Sequence, residues 1–224
     1  HITKRYGNLI ANDDVSFGLN EGEILAIIGE NGAGKSTIMK ILYGLEQANE
    51  GEIYFEDNPV YFQSPVDAIN MGIGMLHQHF MLFQSMTVAE NIVYGREIYK
   101  NKVFFDKKKT MDVIDSLSKT YGMDVAPDTV VSELPVGVQQ RVEILKILYQ
   151  NAKIIIFDEP SAVLTPPEVK NLLETIKKLS EAGKSIILIT HKLQEVMDVA
   201  DRVVVMRKGK VVGERIKAET SIEE

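Results

Sequence analysis

Cysteine is absent from the 224 residues, which removes disulfides, thiol catalysis and cysteine-ligated zinc from consideration. Long apolar runs are missing too. None approaches the ~18 residues that a bilayer-spanning helix needs, and no secretory pattern opens the sequence. Nor is there a block of positive charge. Lysine and arginine number 25 against 32 aspartates and glutamates, a formal charge of −7, whereas a surface that wraps nucleic acid needs clustered cations. The one basic run, Lys107-Lys108-Lys109, reads as a solvated helix face or loop. The expectation is a cytosolic protein without a nucleic-acid partner, still able to dock onto a membrane protein.

What remains is ordinary for a globular chain: 45% hydrophobic and 25% charged residues, enough for one large domain or a domain carrying an inserted lobe. Short β-branched runs alternate with helical patterns, which predicts an α/β fold around a mixed, largely parallel sheet. Ile154-Ile155-Ile156-Phe157 and Ile186-Ile187-Leu188-Ile189 are continuously apolar, as strands buried on both faces should be. HITKRY, VSFGL, EILAIIG and GEIYF with an Asp57-Asn58 turn predict further strands near the N-terminus, partly antiparallel. From about residue 85 to 152 strands largely give way to helical spacing, at Val113, Leu117 and the run Val142 to Tyr149. That stretch is expected to be an inserted helical subdomain, with the core formed by 1–84 and 153–224. His1 already lies within a strand-like run. Ser221 and Glu224 have the spacing of a capping box, so the sequence is expected to be part of a longer chain.

Two stretches carry chemistry. GENGAGKS at residues 29–36 fits G-x-x-x-x-G-K-[ST], directly after a strand and before a helix. Gly29, Gly32 and Gly34 let the backbone curl its amides inward around a polyphosphate, and the following helix adds its positive end. Lys35 can reach the terminal phosphates and the Ser36 hydroxyl can hold Mg²⁺. IIIFDEP then sets Asp158 at the end of a buried strand, where it can orient water on Mg²⁺. Glu159 beside it is placed to polarise an attacking water.

With LPVGVQQR at 134–141, these residues resemble the ATP-binding-cassette ATPases in motif order and spacing over nearly the whole chain. The resemblance implies a P-loop NTPase core with ATP and Mg²⁺ as cofactors. It implies contacts to the nucleotide from Gly29, Glu30, Asn31, Gly32, Ala33, Gly34, Lys35, Ser36 and Thr37. Tyr6 takes the place of the aromatic that stacks on adenine. Gln78 matches the glutamine that joins core to lobe and touches Mg²⁺ and water, so Ser36, Gln78 and Asp158 form the implied metal set, Asp158 through water. His191 matches the switch histidine at the γ-phosphate, acting with Glu159, Gln78 and Lys35 in catalysis. Ser161 to Thr165 fill the loop that crosses the dimer interface. Leu134, Gly137 and Gln139 belong to the signature that binds ATP held by a second ATPase domain. In that signature Pro135 stands at the serine position and Val136 at the first glycine position. Proline suits a first helical turn but offers neither hydroxyl nor amide hydrogen, so a weakened composite site is expected. His77 and His79, which flank Gln78, are expected to be packing residues, since two histidines without a further ligand make a poor metal site.

LHQHFMLFQSMTVAENIVYGRE resembles the nucleoside importers within this family, relatives of the ribose-type sugar importers. The resemblance implies transmembrane permease subunits as partners, an extracytoplasmic solute-binding protein indirectly, and a place at the cytoplasmic face of the cell membrane. In that group two ATPase domains are usually fused, and this chain would be the N-terminal one. A sugar importer is the near alternative. A soluble cassette ATPase acting on ribosomes or DNA would bring basic arms or long coiled-coil insertions. A P-loop kinase or GTPase would not need Gln78, the signature and His191 together.

Overall fold

The computed structural model describes residues 1–78, 80–101 and 104–219. A hairpin of β1 (Ile2–Tyr6) and β2 (Leu9–Val15) leads into β3 (Ile24–Ile28), the glycine-rich loop and helix α1 (Lys35–Leu42). A second hairpin, β4 (Ile53–Phe55) and β5 (Asn58–Val60), precedes α2 (Pro65–Asn70) and β6 (Ile73–Leu76). Next come α3 (Val88–Val93), the short strands β7 (Tyr99–Lys100) and β8 (Phe104–Phe105), α4 (Lys107–Tyr121) and α5 (Val136–Tyr149). The chain then returns through β9 (Ile154–Asp158), α6 (Pro166–Glu181), β10 (Ser185–Ile189), α7 (Leu193–Val199), β11 (Arg202–Arg207) and β12 (Lys210–Ile216).

Six strands form the central sheet in the order β12-β11-β3-β10-β9-β6. All neighbours run parallel except β12, which turns back on β11. The two-residue period of the strands divides the core. Ile155, Phe157, Ile186 and Leu188 face a cluster shared with α3 to α6, while Ile156, Ile187, Ile189, Leu25 and Ile27 face α1 and the N-terminal hairpin. Continuous apolar strands are thus required by burial on both faces. The residues of α3, α4 and α5 pack in one cluster with the first of those faces.

Two local expectations need correction. VSFGL is not a strand: β2 ends at Val15, and residues 16–19 run on outside the ladder with Phe17 and Leu19 half-buried on the core. The Gly18 carbonyl is taken instead by the Arg202 guanidinium, so that group is satisfied without a neighbouring strand. The hairpin turn lies one residue earlier than Asp57-Asn58. Glu56 (φ 49°) and Asp57 (φ 62°) adopt the left-handed pair that a tight two-residue turn demands, and Asn58 opens β5 while its amide donates to the Glu56 carbonyl at 2.8 Å. The Ser221/Glu224 pair and His79 lie outside the described residues.

Arg202 also ties the sheet together. Its guanidinium donates to Glu23 at 2.6 and 3.0 Å and reaches Glu214 on β12. Burial pushes the Glu23 carboxyl up, but hydrogen bonds from Arg202 and the Asn20 amide outweigh it and hold the group below its usual range.

Candidate functional site

The carboxyl-terminal ends of β3, β9 and β10 are neighbours in the sheet, and a parallel α/β sheet presents its ligand crevice at that edge. After β3 the chain curls at once. Ala33 N donates back to the Glu30 carbonyl at 3.1 Å, and Gly209 N in the β11–β12 turn donates to the Ala33 carbonyl at 3.0 Å. Two glycines are sterically required. A Cβ on Gly29 would lie 2.2 Å from the Met206 carbonyl oxygen, and one on Gly34 2.4 Å from that of Ala11. Gly34 also takes φ 99° as the residue that opens α1.

The first turn of α1 has no capping side chain and no acidic residue. Its amides therefore face the loop with the positive end of the helix behind them, an arrangement suited to a phosphate chain. Lys35 is buried at 5% exposure, and its ammonium donates to the carbonyls of Gly29 (2.7 Å) and Glu30 (3.0 Å). The cation is thereby held over the loop. Glu30, Asn31, Gly32 and Ser36 are exposed, Thr37 is half-buried and Ala33 is buried beneath them.

Asp158 closes β9. Burial, and then the like charge of Glu159, push its carboxyl up, opposed by the cations of Lys35 and Lys40. An ionised Asp158 is thus short of positive charge, the environment in which a divalent cation would be welcome. The hydroxyl of Ser36, next in the chain to Lys35, is a hard oxygen of the kind Mg²⁺ takes. Among the described residues no three acidic or histidine side chains form a metal cluster by themselves.

Glu159 holds φ 47°, a left-handed conformation that a residue with a Cβ adopts at a cost, typically of ~1 kcal/mol or more. The strain is fixed by its amide, which donates to the Ile189 carbonyl at 2.9 Å. The outcome is a carboxylate turned across to β10, with Oε1 3.4 Å from Nδ1 of His191. Glu159 is mostly shielded and His191 half exposed, with side-chain exposures of 22% and 53%. An acid and an imidazole therefore meet at the carboxyl-terminal edge of the sheet, brought together from positions 32 residues apart.

Gln78 follows β6 in an exposed bend. His77 packs edge-on against Tyr43 at 5.7 Å, and burial followed by the Lys146 charge lowers its pKa, as suits a packing histidine. Tyr6 is 43% exposed on the first hairpin, with the Lys4 ammonium 4.9 Å from its ring centre and the Glu46 carboxylate nearby.

The signature lies at the start of α5, which has Pro135 as its capping residue and no side-chain cap. Its polar groups are already engaged within the chain. The Gln139 side chain donates to the Leu134 carbonyl at 2.9 Å and accepts from Gln84 at 3.4 Å. Gly137 lies so close to Glu168 that a Cβ there would be 2.7 Å from a carboxylate oxygen. Gln140, buried in α5, donates to the Pro160 carbonyl at 2.8 Å and so links the signature helix to the segment after Glu159.

Several supporting residues escape a reading of motifs. Asn12 donates to the Gly34 carbonyl at 3.1 Å from within the N-terminal hairpin. Lys192 donates to Ser161 through Oγ (2.9 Å) and the carbonyl (3.2 Å), and pairs with the buried Glu195 at 3.3 Å. None has a local pattern to mark it. Glu143 has a faint one: a carboxylate among the apolar residues of VEILKILY, where the only other charge is Lys146.

A glycine-rich phosphate loop, a carboxylate pair after β9 and a histidine after β10, all on one edge of a parallel sheet, define a P-loop nucleotide-binding domain of the cassette type. The model of the family described as "ABC transporter" matches residues 12–162. The chain belongs to the ABC transporter family. It is 52% identical over 211 residues to the nucleoside import ATP-binding protein NupA of Lactococcus lactis subsp. cremoris, covering 94% of this chain and 42% of that protein. It is 47% identical to the guanosine import ATP-binding protein NupO of Bacillus subtilis (94% and 41% covered). To the ribose import ATP-binding protein RbsA of Caldanaerobacter subterraneus it is 42% identical (95% and 43% covered). The chain thus spans less than half the length of these curated relatives. Among solved structures it resembles a nucleotide-free ATP-binding cassette from an ABC transporter, with TM-score 0.87 and 27% identity over 100% of this chain and 93% of the other. A dimeric bacterial ABC transporter cassette matches with TM-score 0.80 and 25% identity over 96% of each chain.

Proposed function

We propose that this domain binds ATP with Mg²⁺ and hydrolyses it to energise an importer for nucleosides. The observation that supports hydrolysis most is the strained Glu159, locked against the Ile189 carbonyl and facing His191 at the carboxyl-terminal edge of the sheet. In this reading the amides of residues 29–37 and the Lys35 ammonium hold the phosphates, and Ser36, Gln78 and Asp158 hold the Mg²⁺, Asp158 through water. The metal supplies charge neutralisation on the phosphates. Glu159 orients and polarises the attacking water, His191 contacts the γ-phosphate, and Tyr6 stacks on the base. Leu134, Gly137 and Gln139 act on ATP carried by a second ATPase domain, and pairing with such a domain is supported by the dimeric cassette of similar fold. The helical subdomain of about 85–152, set on a core of 1–84 and 153–224, meets transmembrane permease subunits, and a solute-binding protein delivers cargo to them. Among the described residues no helix is long and apolar enough to cross a membrane. The domain then sits peripherally on the cytoplasmic face of one.

Nucleosides are favoured as cargo over sugars because the nucleoside and guanosine import relatives are more similar than the ribose one. Two measurements test the reading. Titration calorimetry on Lys35→Ala should show ATP affinity reduced by about 10- to 100-fold, the scale of hydrogen bonds from a charged donor. Unchanged affinity refutes the phosphate role of Lys35. Uptake of labelled nucleoside by cells expressing the whole transporter should be competed by other nucleosides and not by ribose. The reverse pattern assigns the sugar cargo.

A further inference from the structure

The loop that leaves Gln78 is fastened to the helical region at two alternate residues, each time through backbone atoms. Glu143 of α5 accepts from Met81 N at 2.6 Å, and Lys146, one turn later on the same helix, donates to the Met81 carbonyl at 3.1 Å. Two residues on, Asn91 of α3 accepts from Phe83 N at 2.7 Å and donates to the Phe83 carbonyl at 3.0 Å. Glu143 and Asn91 are buried, at 6% and 0% exposure, whereas the side chains of Met81 and Phe83 project outward at 61% and 45%. Leu82 between them anchors the loop in the core, with Phe80 packed against the same cluster. The two paired backbone contacts fasten it on either side of that anchor.

We infer that Glu143, with Lys146, is a positioning residue that locks the Gln78 loop to the signature helix, so that α5 and the loop move as one piece during nucleotide-driven rearrangement. A carboxylate in this place is costly, because burial raises its pKa against the relief given by Lys146 and the Met81 amide. An apolar residue would suit packing at this site better, since Val142, Ile144 and Leu145 beside it are all buried. What the carboxylate adds is an acceptor for an amide that would otherwise be unpaired, from a helix whose first turn carries the signature. Gln140 of the same helix grips the Pro160 carbonyl beside Glu159. One rigid helix thus holds both the Gln78 loop and the segment after the proposed catalytic acid. The inference rests on the reading of Gln78 as the link between nucleotide and helical region.

The test uses the assembled transporter, with ATP turnover measured with and without permease stimulation, and amide exchange at Met81. Glu143→Leu should lower the stimulated kcat by about tenfold or more, the scale of a misplaced positioning group. The KM for ATP should stay within about twofold, since no nucleotide contact is removed. Glu143→Gln keeps an oxygen acceptor for Met81 N–H and should restore most of the stimulated rate. Exchange at Met81 should quicken in the leucine variant and not in the glutamine one. A stimulated kcat retained in Glu143→Leu overturns the inference, as does a parallel loss of KM and kcat that glutamine does not restore. Should the leucine variant fail to fold, Lys146→Met at a half-exposed position makes the same demand, and full stimulation there overturns the clamp. Gln78→Ala run alongside separates the two readings. If it leaves stimulation intact while Met81 exchange responds as expected, the role of Gln78 falls and the clamp stands.

Discussion

The two edges that this chain is proposed to bring to composite sites are built on different terms. The edge bearing Lys35, Asp158, Glu159 and His191 is held in tension: a lysine folded over its own loop, a carboxyl with a raised pKa and a glutamate with left-handed backbone. The signature edge is at rest. Gln139 is paired with Leu134 and Gln84, Gly137 lies against Glu168, and Pro135 opens the helix without a hydroxyl. Strain and unmatched charge persist only where the surrounding fold over-determines them. The difference supports the proposal that this chain's chemistry runs at its own phosphate loop, with the signature in a supporting role.

The comparison breaks most visibly at Glu159. Glu159→Gln keeps the shape and should lower ATP turnover by at least about 100-fold, the scale of general-base effects, with ATP binding retained. Single-turnover kinetics together with nucleotide binding would show it. Binding and turnover falling equally would point instead to a damaged fold, and an unaltered rate would remove Glu159 from the chemistry.

At the signature the change should be smaller and opposite in sign. Pro135→Ser restores a hydroxyl donor at the mouth of α5, where one hydrogen bond to a charged oxygen contributes about 1.5–3 kcal/mol. With this chain's own site silenced by Glu159→Gln, steady-state turnover of the two-domain assembly should rise by about tenfold or more through the site this signature completes. The partner domain must keep its own acid for the gain to appear. No gain with an intact partner acid makes Pro135 neutral and removes the asymmetry argued here.

The smallest effect concerns stability. A carboxyl whose folded pKa is raised binds its proton more tightly in the folded state. Its stabilising contribution is complete below the unfolded value near 3.8 and is lost as pH rises through the folded pKa. At neutral pH an ionised Asp158 therefore weakens the fold. Asp158→Asn should raise the melting temperature by a few degrees at pH 7 in metal-free buffer, and the advantage should shrink as pH falls toward that unfolded value. A constant difference across this window would mean that packing, not charge, separates the two proteins. The same substitution should weaken Mg²⁺-dependent nucleotide binding, so stability and function would change in opposite directions.

Legibility followed the range of each interaction. The phosphate loop was readable because its residues form one contiguous motif from Gly29 to Ser36, although the carbonyls that forbid a Cβ on Gly29 and Gly34 come from the distant Met206 and Ala11. The strands of β9 and β10 were readable because burial on both faces leaves only apolar residues. VSFGL misled because alternation alone does not say whether a neighbouring strand exists, and here Arg202 takes the Gly18 carbonyl instead. The turn at Glu56-Asp57 differed by one residue because left-handed backbone, not composition, decides which pair turns.

By itself the sequence determined the chemistry on offer: an anion cradle, a metal-compatible acid, a candidate base and a proline where the family resemblance implies a serine. These depend on neighbours in the chain and on the valence of side chains. Only the tertiary structure decided which of those groups meet. Parallel pairing of β9 with β10 sets Glu159 beside His191 and locks its amide on Ile189. The return of α5 against the Gln78 loop sets Glu143 on Met81. Contacts between residues tens of positions apart form when buried surfaces choose their neighbours, and that choice is made by the sheet order as a whole.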